Sequence, residues 1–303
     1  MNKNILVIGS SNTDLVIQTS HFPEPGETVI GGEFNTFAGG KGANQAVAAC
    51  RLGGNVTFVA KLGKDGFGQE ALKGFKKEGI ITTHIYMDAS LPSGVASIIL
   101  NEKGQNTIVV APGANNALTE ADIELTKDAM SEADIVLIQL EVPLTTVIFA
   151  IKQAYHLGKR VILNPAPATR LPDEIYPFID LITPNETEAG ILLGMKVIDE
   201  NTAALAAGNL LKRGVKNVIL TLGEKGAFLK NDEIELLVPA VKTKVRDTTG
   251  AGDIFNGALA VSLSEKKGWL EAIQFANRAA SIGVSRLGAQ ASVPYRNEVD
   301  RIT

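Results

Sequence analysis

The chain has 303 residues, 45% of them hydrophobic and 20% charged, with a net charge of −4. That mixture excludes a chain disordered throughout, and it offers no basic field for nucleic acid. A single cysteine, Cys50, excludes an intrachain disulfide framework, and the three histidines (His21, His84, His156) lie far apart. The apolar run at 5–8 is too short for a signal-peptide core, and no stretch approaches the ~20 apolar residues that span a bilayer. The expectation is a cytoplasmic protein with neither nucleic acid nor membrane as partner. Glycine is in surplus, at 30 residues, against ~7% in an average chain.

In chain order, nearly continuous β-branched runs fall at 5–8, 56–60, 135–140, 161–163, 181–183 and 218–222. Such runs read as strands buried on both faces. Between them, residues 43–52, 67–78, 120–131, 145–157, 203–213, 252–264 and 270–284 carry apolar residues at helical spacing. This alternation predicts an α/β fold with a mostly parallel sheet and helices on both faces. Ligands in such sheets bind at the carboxyl ends of strands, where the strand order switches. Two segments, about 15–37 and 94–110, break the pattern, and the second reads as a hairpin turning at 101–106. They are expected to pair into a small accessory sheet. Both flank the glycine-rich run at 39–44, which favours a cover over a cleft against plain surface hairpins.

Several short motifs carry chemistry. The run GGKGAN at 39–44 leads into a predicted helix. Its glycines permit close backbone approach, and Lys41 and Asn44 offer donors for hydroxyls or phosphates. It is not a Walker A loop, because Gly42 follows Lys41. The run DTTGAGD at 247–253 also opens a helix. Gly250, Ala251 and Gly252 there would present backbone N–H groups to an anion. Asp253 is either a carboxylate favoured by the helix dipole or a general base beside that anion hole.

Other motifs admit a structural and a functional reading side by side. Asn185 and Glu188, three apart at a helix start, form a capping pair or a place where Glu188 holds Mg2+ through water. The run TLGEKG at 221–226 is a hairpin turn or a backbone platform for a nucleotide. Asn12 and Asp14, just past the first strand, make an Asx turn or chelate vicinal hydroxyls. Glu141 ends a strand where ligands dock in such sheets. Cys50 reads as a packed residue, and no G-x-S-x-G elbow occurs.

With these motifs in place, the chain resembles the PfkB-type (ribokinase) family of carbohydrate kinases over essentially its whole length. The resemblance runs from GSSNTD at 9–14 to GAQASV at 288–293. It is carried by GGKGANQA at 39–46 together with DTTGAGD at 247–253, and supported by Asn12, Asp14, Lys41, NPAP at 164–167 and NETE at 185–188. It implies one ribokinase-like domain over 1–303, with a doubly wound sheet, a small β lid and a homodimer clasped through the lids. It implies ATP-dependent phosphorylation of D-ribose at the 5-hydroxyl, with Asp253 as base and Gly250, Ala251 and Gly252 as the anion hole. Sugar contacts carry over to Asn12, Asp14, Gly40, Lys41, Asn44, Glu141 and Asp253. Nucleotide contacts carry over to Asn185, Thr221, Gly223, Glu224, Gly226, Gly252 and Asn277. Glu188 is implied for Mg2+, and Asp247, Thr249, Gly283, Arg286, Gly288 and Ser292 for an activating K+.

Alternatives within the family are kinases of deoxyribose, fructose or a nucleoside. Asn12 and Asp14 favour a small polyol, and aromatics make up only 5% of the chain, few for a purine sandwich. A non-catalytic sensor would lack the base or the anion-hole glycines, and both are present. An NAD-dependent dehydrogenase would need a third fingerprint glycine where Phe255 stands.

Overall fold

The computed structural model describes residues 4–103 and 105–302. In chain order, β1 (Asn4–Ile8) runs into β2 (Asn12–Thr19), and β3 (Phe34–Gly39) leads into α1 (Lys41–Arg51), β4 (Asn55–Gly63), α2 (Gly66–Glu78) and β5 (Ile85–Asp88). Then come β6 (Gly94–Asn101), β7 (Asn106–Ala111), α3 (Glu120–Glu124), α4 (Lys127–Glu132), β8 (Ile135–Ile138), α5 (Leu144–His156), β9 (Arg160–Leu163) and β10 (Leu181–Ile182). The remainder is α6 (Glu186–Leu193), α7 (Glu200–Lys212), β11 (Asn217–Thr221), β12 (Ala227–Lys230), β13 (Glu235–Val238), α8 (Ala251–Ser264), α9 (Trp269–Gly283) and α10 (Arg296–Val299).

Alternate residues of β1 feed two cores: Ile5 and Val7 pack on one face of the sheet, Leu6 and Ile8 on the other. A strand covered on both sides must be apolar throughout, which is why these runs do not alternate. The sheet has nine strands in the order β13-β12-β11-β10-β9-β8-β1-β4-β5. β1 pairs in parallel with both β4 and β8 (Ile8 opposite Val59 and Ile138), so the strand order switches direction beside β1. β12 and β13 add antiparallel, and the run at 221–226 is the hairpin turn that joins β11 to β12. The helix expected over 120–131 is two short helices. The break comes at Thr126, whose buried hydroxyl donates to the Ile123 carbonyl at 2.7 Å.

The two irregular segments do pair. A four-stranded sheet runs β3-β2-β6-β7, with β2 antiparallel to β3 and parallel to β6. It begins at Asn12, earlier than the sequence pattern suggests, because β2 continues directly from β1 across three residues. The sheet starts where β1 ends and hands the chain on from β3 to α1, and Phe34, Ile108, Val109 and Val110 on it are exposed. The hairpin turn predicted at 101–106 includes Gly104, which lies outside the described residues.

α1 and α8 pack almost backbone to backbone. A Cβ on Gly257 would lie 2.6 Å from Ala48 Cβ and 2.9 Å from the Gln45 carbonyl oxygen. Small residues at Ala43, Ala46, Ala48 and Ala49 permit this approach. It brings the first turn of α1 against the first turn of α8.

Candidate active site

The crevice floor is formed where β1 and β8 end. Gly40 caps α1 with φ +88, and a Cβ there would lie 2.6 Å from the Asn12 nitrogen. Only glycine meets both demands, and it folds α1 tightly over the bend between β1 and β2. Glu141, just past β8, accepts hydrogen bonds from the Ser10 hydroxyl at 2.5 Å and from the Lys41 backbone N–H at 3.0 Å. Asn12 is 8% exposed, and its Oδ1 accepts from Asn115 Nδ2 at 2.7 Å. Asp14 faces the Gly39 backbone: a Cβ on Gly39 would lie 2.4 Å from its carboxylate oxygens.

Asp253 sits in the first turn of α8 and is 6% exposed. Asn44 Nδ2 donates to its Oδ2 and Gln45 Nε2 to its Oδ1, both at 2.9 Å. Beside it, a Cβ on Gly252 would meet nothing within 4 Å, so this end of α8 borders open space. Ala251 donates its N–H to the Thr248 carbonyl at 3.2 Å. This corrects the sequence reading at Ala251: among the described residues, the N–H groups left open at the start of α8 are those of Gly250, Gly252 and Asp253. Asn44 Oδ1 is buried and has no partner. A lone acceptor beside a carboxylate and open amides is free to accept from a hydroxyl.

The charges here are strongly coupled. Burial pushes the Asp253 carboxyl upward, against the pull of Lys41 and the amides of Gln45 and Asn44, and Glu141 adds to the rise. Burial, then the charges of Glu141 and Asp253, raise Asp14 to about 6. Burial works against the Lys41 ammonium, but Asp253, Glu141 and Glu188 outweigh it and hold its pKa above the ordinary value. Sequence positions 14, 41, 141, 188 and 253 therefore share one field.

Most of the set implied for the nucleotide lies past the ends of β10 and β11, with Gly252 on α8 and Asn277 on α9. Asn185 and Thr221 are bridged, and the Thr221 N–H donates to the Pro184 carbonyl at 3.0 Å. Asn185 and Glu188 form a reciprocal capping box: Asn185 Oδ1 accepts from the Glu188 N–H at 2.8 Å, and Glu188 Oε2 from the Asn185 N–H at 2.9 Å. One Glu188 oxygen is thus engaged. Burial raises its pKa, opposed by the Asn185 bond and Lys41. Gly223 and Glu224 are exposed in the hairpin turn, whereas Gly226 is buried under β13. Asn277 keeps half of its polar capacity for the role expected of it. Its Nδ2 pins the Val238 and Pro239 carbonyls at 3.2 and 2.9 Å, leaving only its oxygen for a ligand.

The set implied for K+ clusters around Asp247. One Asp247 oxygen accepts from the Thr249 N–H and hydroxyl, and the other from the Gly288 N–H at 2.9 Å. Burial works against this charge, but the Thr249 and Gly288 bonds hold the carboxyl below its usual range. Arg286 directs its guanidinium to Glu298, and the Ser292 hydroxyl donates to the Ala289 carbonyl at 2.8 Å. Arg286 can therefore offer only its carbonyl.

Three side chains of this centre lie beyond the sequence reading: Gln45, Asn115 and Gln139. Asn115 binds Ser11 N–H and carbonyl as well as Asn12. Gln139 donates to Gln45 at 2.5 Å. Each stands out in sequence only as a polar residue inside or beside an apolar run.

The profile of the pfkB family carbohydrate kinases matches residues 2–296. A ribokinase of Haemophilus influenzae is 43% identical over 298 residues, covering 98% of this chain and 97% of its own length. A deoxyribokinase of Salmonella typhi is 38% identical, covering 96% and 95%. The solved structure of the Arabidopsis thaliana ribokinase complexed with ribose and ATP superposes with a TM-score of 0.93 at 35% identity, covering 99% and 98%. With the small four-stranded sheet and the two glycine motifs in their places, the chain belongs to the pfkB family of carbohydrate kinases.

Proposed function

We propose that this chain transfers the terminal phosphoryl group of ATP to the 5-hydroxyl of D-ribose, with Asp253 as general base. The observation that carries this reading is the seat of Asp253: a buried carboxylate held at both oxygens, beside open amides at Gly250 and Gly252 and the unpartnered Asn44 Oδ1. Asn12, Asp14, Gly40, Lys41, Asn44 and Glu141 hold the sugar. Asp253 takes the hydroxyl proton as the new P–O bond forms, and the amides at the start of α8 steady the transferring group. The nucleotide lies along Asn185, Thr221, Gly223, Glu224, Gly226 and Gly252, with Asn277 limited to its carbonyl oxygen. The similarity to ribokinases over nearly the full chain supports ribose as acceptor and ATP as donor.

No cage of three or more His, Cys, Asp or Glu side chains occurs among the described residues. Mg2+ fits here as an ion carried on phosphates and water, with Glu188 reaching it through its second oxygen. When bound, it neutralises phosphate charge. The Asp247 carboxylate with neighbouring main-chain carbonyls is a hard oxygen donor set suited to K+. The exposed apolar residues of the small sheet support its role as a lid and as the seam of a homodimer. No helix among the described residues is long and apolar enough to cross a membrane. We place the enzyme in the cytoplasm.

The test is a coupled ADP-release assay with ribose, deoxyribose, fructose and adenosine, each with and without K+. Highest kcat/KM on ribose is the expected result. A preference for deoxyribose, in line with the Salmonella typhi relative, would move the substrate assignment.

A further inference from the structure

Asn44 and Gln45 are neighbours on α1, and both reach the Asp253 carboxylate, yet their remaining valences differ. Asn44 keeps an unpartnered oxygen for a ligand. Gln45 is 0% exposed, and the protein uses its whole amide. Its Nε2 hydrogens go to Asp253 Oδ1 at 2.9 Å and Asn164 Oδ1 at 3.0 Å. Its Oε1 accepts from Gln139 Nε2 at 2.5 Å, and Gln139 is likewise 0% exposed. The donors therefore all point one way, from Gln139 through Gln45 to the carboxylate. A carboxylate oxygen at the end of this chain accepts, whereas a protonated oxygen there would face a hydrogen. On the far side, Asn164 Nδ2 donates to the Thr183 carbonyl, Thr183 Oγ1 to Asn256 Oδ1, and Asn256 Nδ2 to the Gly252 carbonyl. The chain thus returns to the same helix turn that holds the open amides.

We propose that Gln45, steadied by Gln139, is a positioning residue for phosphoryl transfer: it fixes the plane of the Asp253 carboxylate so that a lone pair meets the acceptor hydroxyl. Successive helical residues project ~100° apart. Asn44 and Gln45 therefore grip the two oxygens from different directions and block rotation of the group. Gln45 has no free atom with which to touch the sugar or the nucleotide. The proposal rests on Asp253 acting as the base.

The test replaces Gln45 with methionine, of similar length and without an amide, in the full chain and again in the Asp253→Asn chain. In the native background kcat falls ~10–100-fold, the scale of a misplaced reacting group, while KM for ribose and for ATP stays within about twofold, because no ligand contact is lost. In the Asp253→Asn background the same substitution costs less than about twofold, since the group it orients is already gone. Unchanged kcat for Gln45→Met, or an equal loss in both backgrounds, would overturn the proposal. If Gln45→Met does not fold, Gln139→Met, one link removed, is read the same way: a ~3–10-fold loss that vanishes beside Asp253→Asn. Native turnover by Asp253→Asn alone would instead remove the base assignment, which keeps the two failures distinct.

Discussion

At the end of the crevice proposed for the sugar, Asn12, Asn44 and Asp253 are each less than a tenth exposed, and they are joined by hydrogen bonds between residues more than 100 positions apart. At the end proposed for the nucleotide, Asn185, Gly223 and Glu224 are exposed, and most polar groups are satisfied by neighbours three residues away or across a turn, with the Asn185–Thr221 bridge joining the two motifs. The first region is assembled from β1, β8, α1 and α8 and depends on the whole fold. The second is built on a capping box and a hairpin turn, tied to each other through the Asn185–Thr221 bridge. Phosphoryl transfer explains the difference. The base and the acceptor must be preorganised away from water, whereas a nucleotide bound largely by backbone needs only correctly shaped chain ends.

This contrast can be broken most severely at Asp253. Asp253→Asn should cut kcat by ~10²–10⁴-fold with ATP affinity little changed, read by steady-state kinetics and nucleotide titration. Equal losses in both would erase the distinction between the two ends. Gly40→Ala comes next. Its Cβ would strike the Asn12 backbone at φ +88. We expect ~10²-fold lower kcat/KM on ribose from the displaced site and ~1–3 kcal/mol less stability by chemical unfolding.

Asp14 sharpens the comparison through pH. Its pKa rises from 3.8 to about 6 in the folded chain, from burial and the charges of Glu141 and Asp253. A raised carboxyl favours the folded state fully below the unfolded value, and that contribution is lost as pH climbs through about 6. Asp14→Asn should therefore raise Tm by ~2–4 °C at pH 8 and not at pH 4, while weakening ribose ~10-fold at pH 8, the loss of a charged hydrogen bond. The smallest effect belongs to the nucleotide end. Asn185→Ala should cost ~0.5–2 kcal/mol through the lost cap and raise KM for ATP without altering kcat, as measured by thermal melts and kinetics.

The same contrast governs what the sequence reveals. The strands at 5–8, 56–60, 135–140, 161–163 and 218–222 are readable because a two-faced core demands unbroken apolar runs. β5 is not, because Ile85–Asp88 is a short edge strand with only one neighbour in the sheet. At the nucleotide end, capping box and nucleotide contact share one pattern, so Asn185 and Glu188 fit both readings. At the sugar end, Asp253 and Asn44 are legible through glycine motifs, but Gln45, Gln139 and Asn115 are not. Their meaning lies in partners that only the close packing of α1 on α8, or the bend from β1 to β2, brings into reach. Asn277 is legible only in part, since its helix position gives no hint that its amide nitrogen is spent on the end of β13.

The most direct measurement is a crystal structure with ribose and a non-hydrolysable ATP analogue bound. The 5-hydroxyl oxygen should lie ~2.6–3.2 Å from an Asp253 carboxylate oxygen, with the terminal phosphate against the amides of Gly250 and Gly252. A sugar seated with that hydroxyl beyond reach of Asp253, and directed instead at Asp14 or Glu141, would contradict Asp253 as the base.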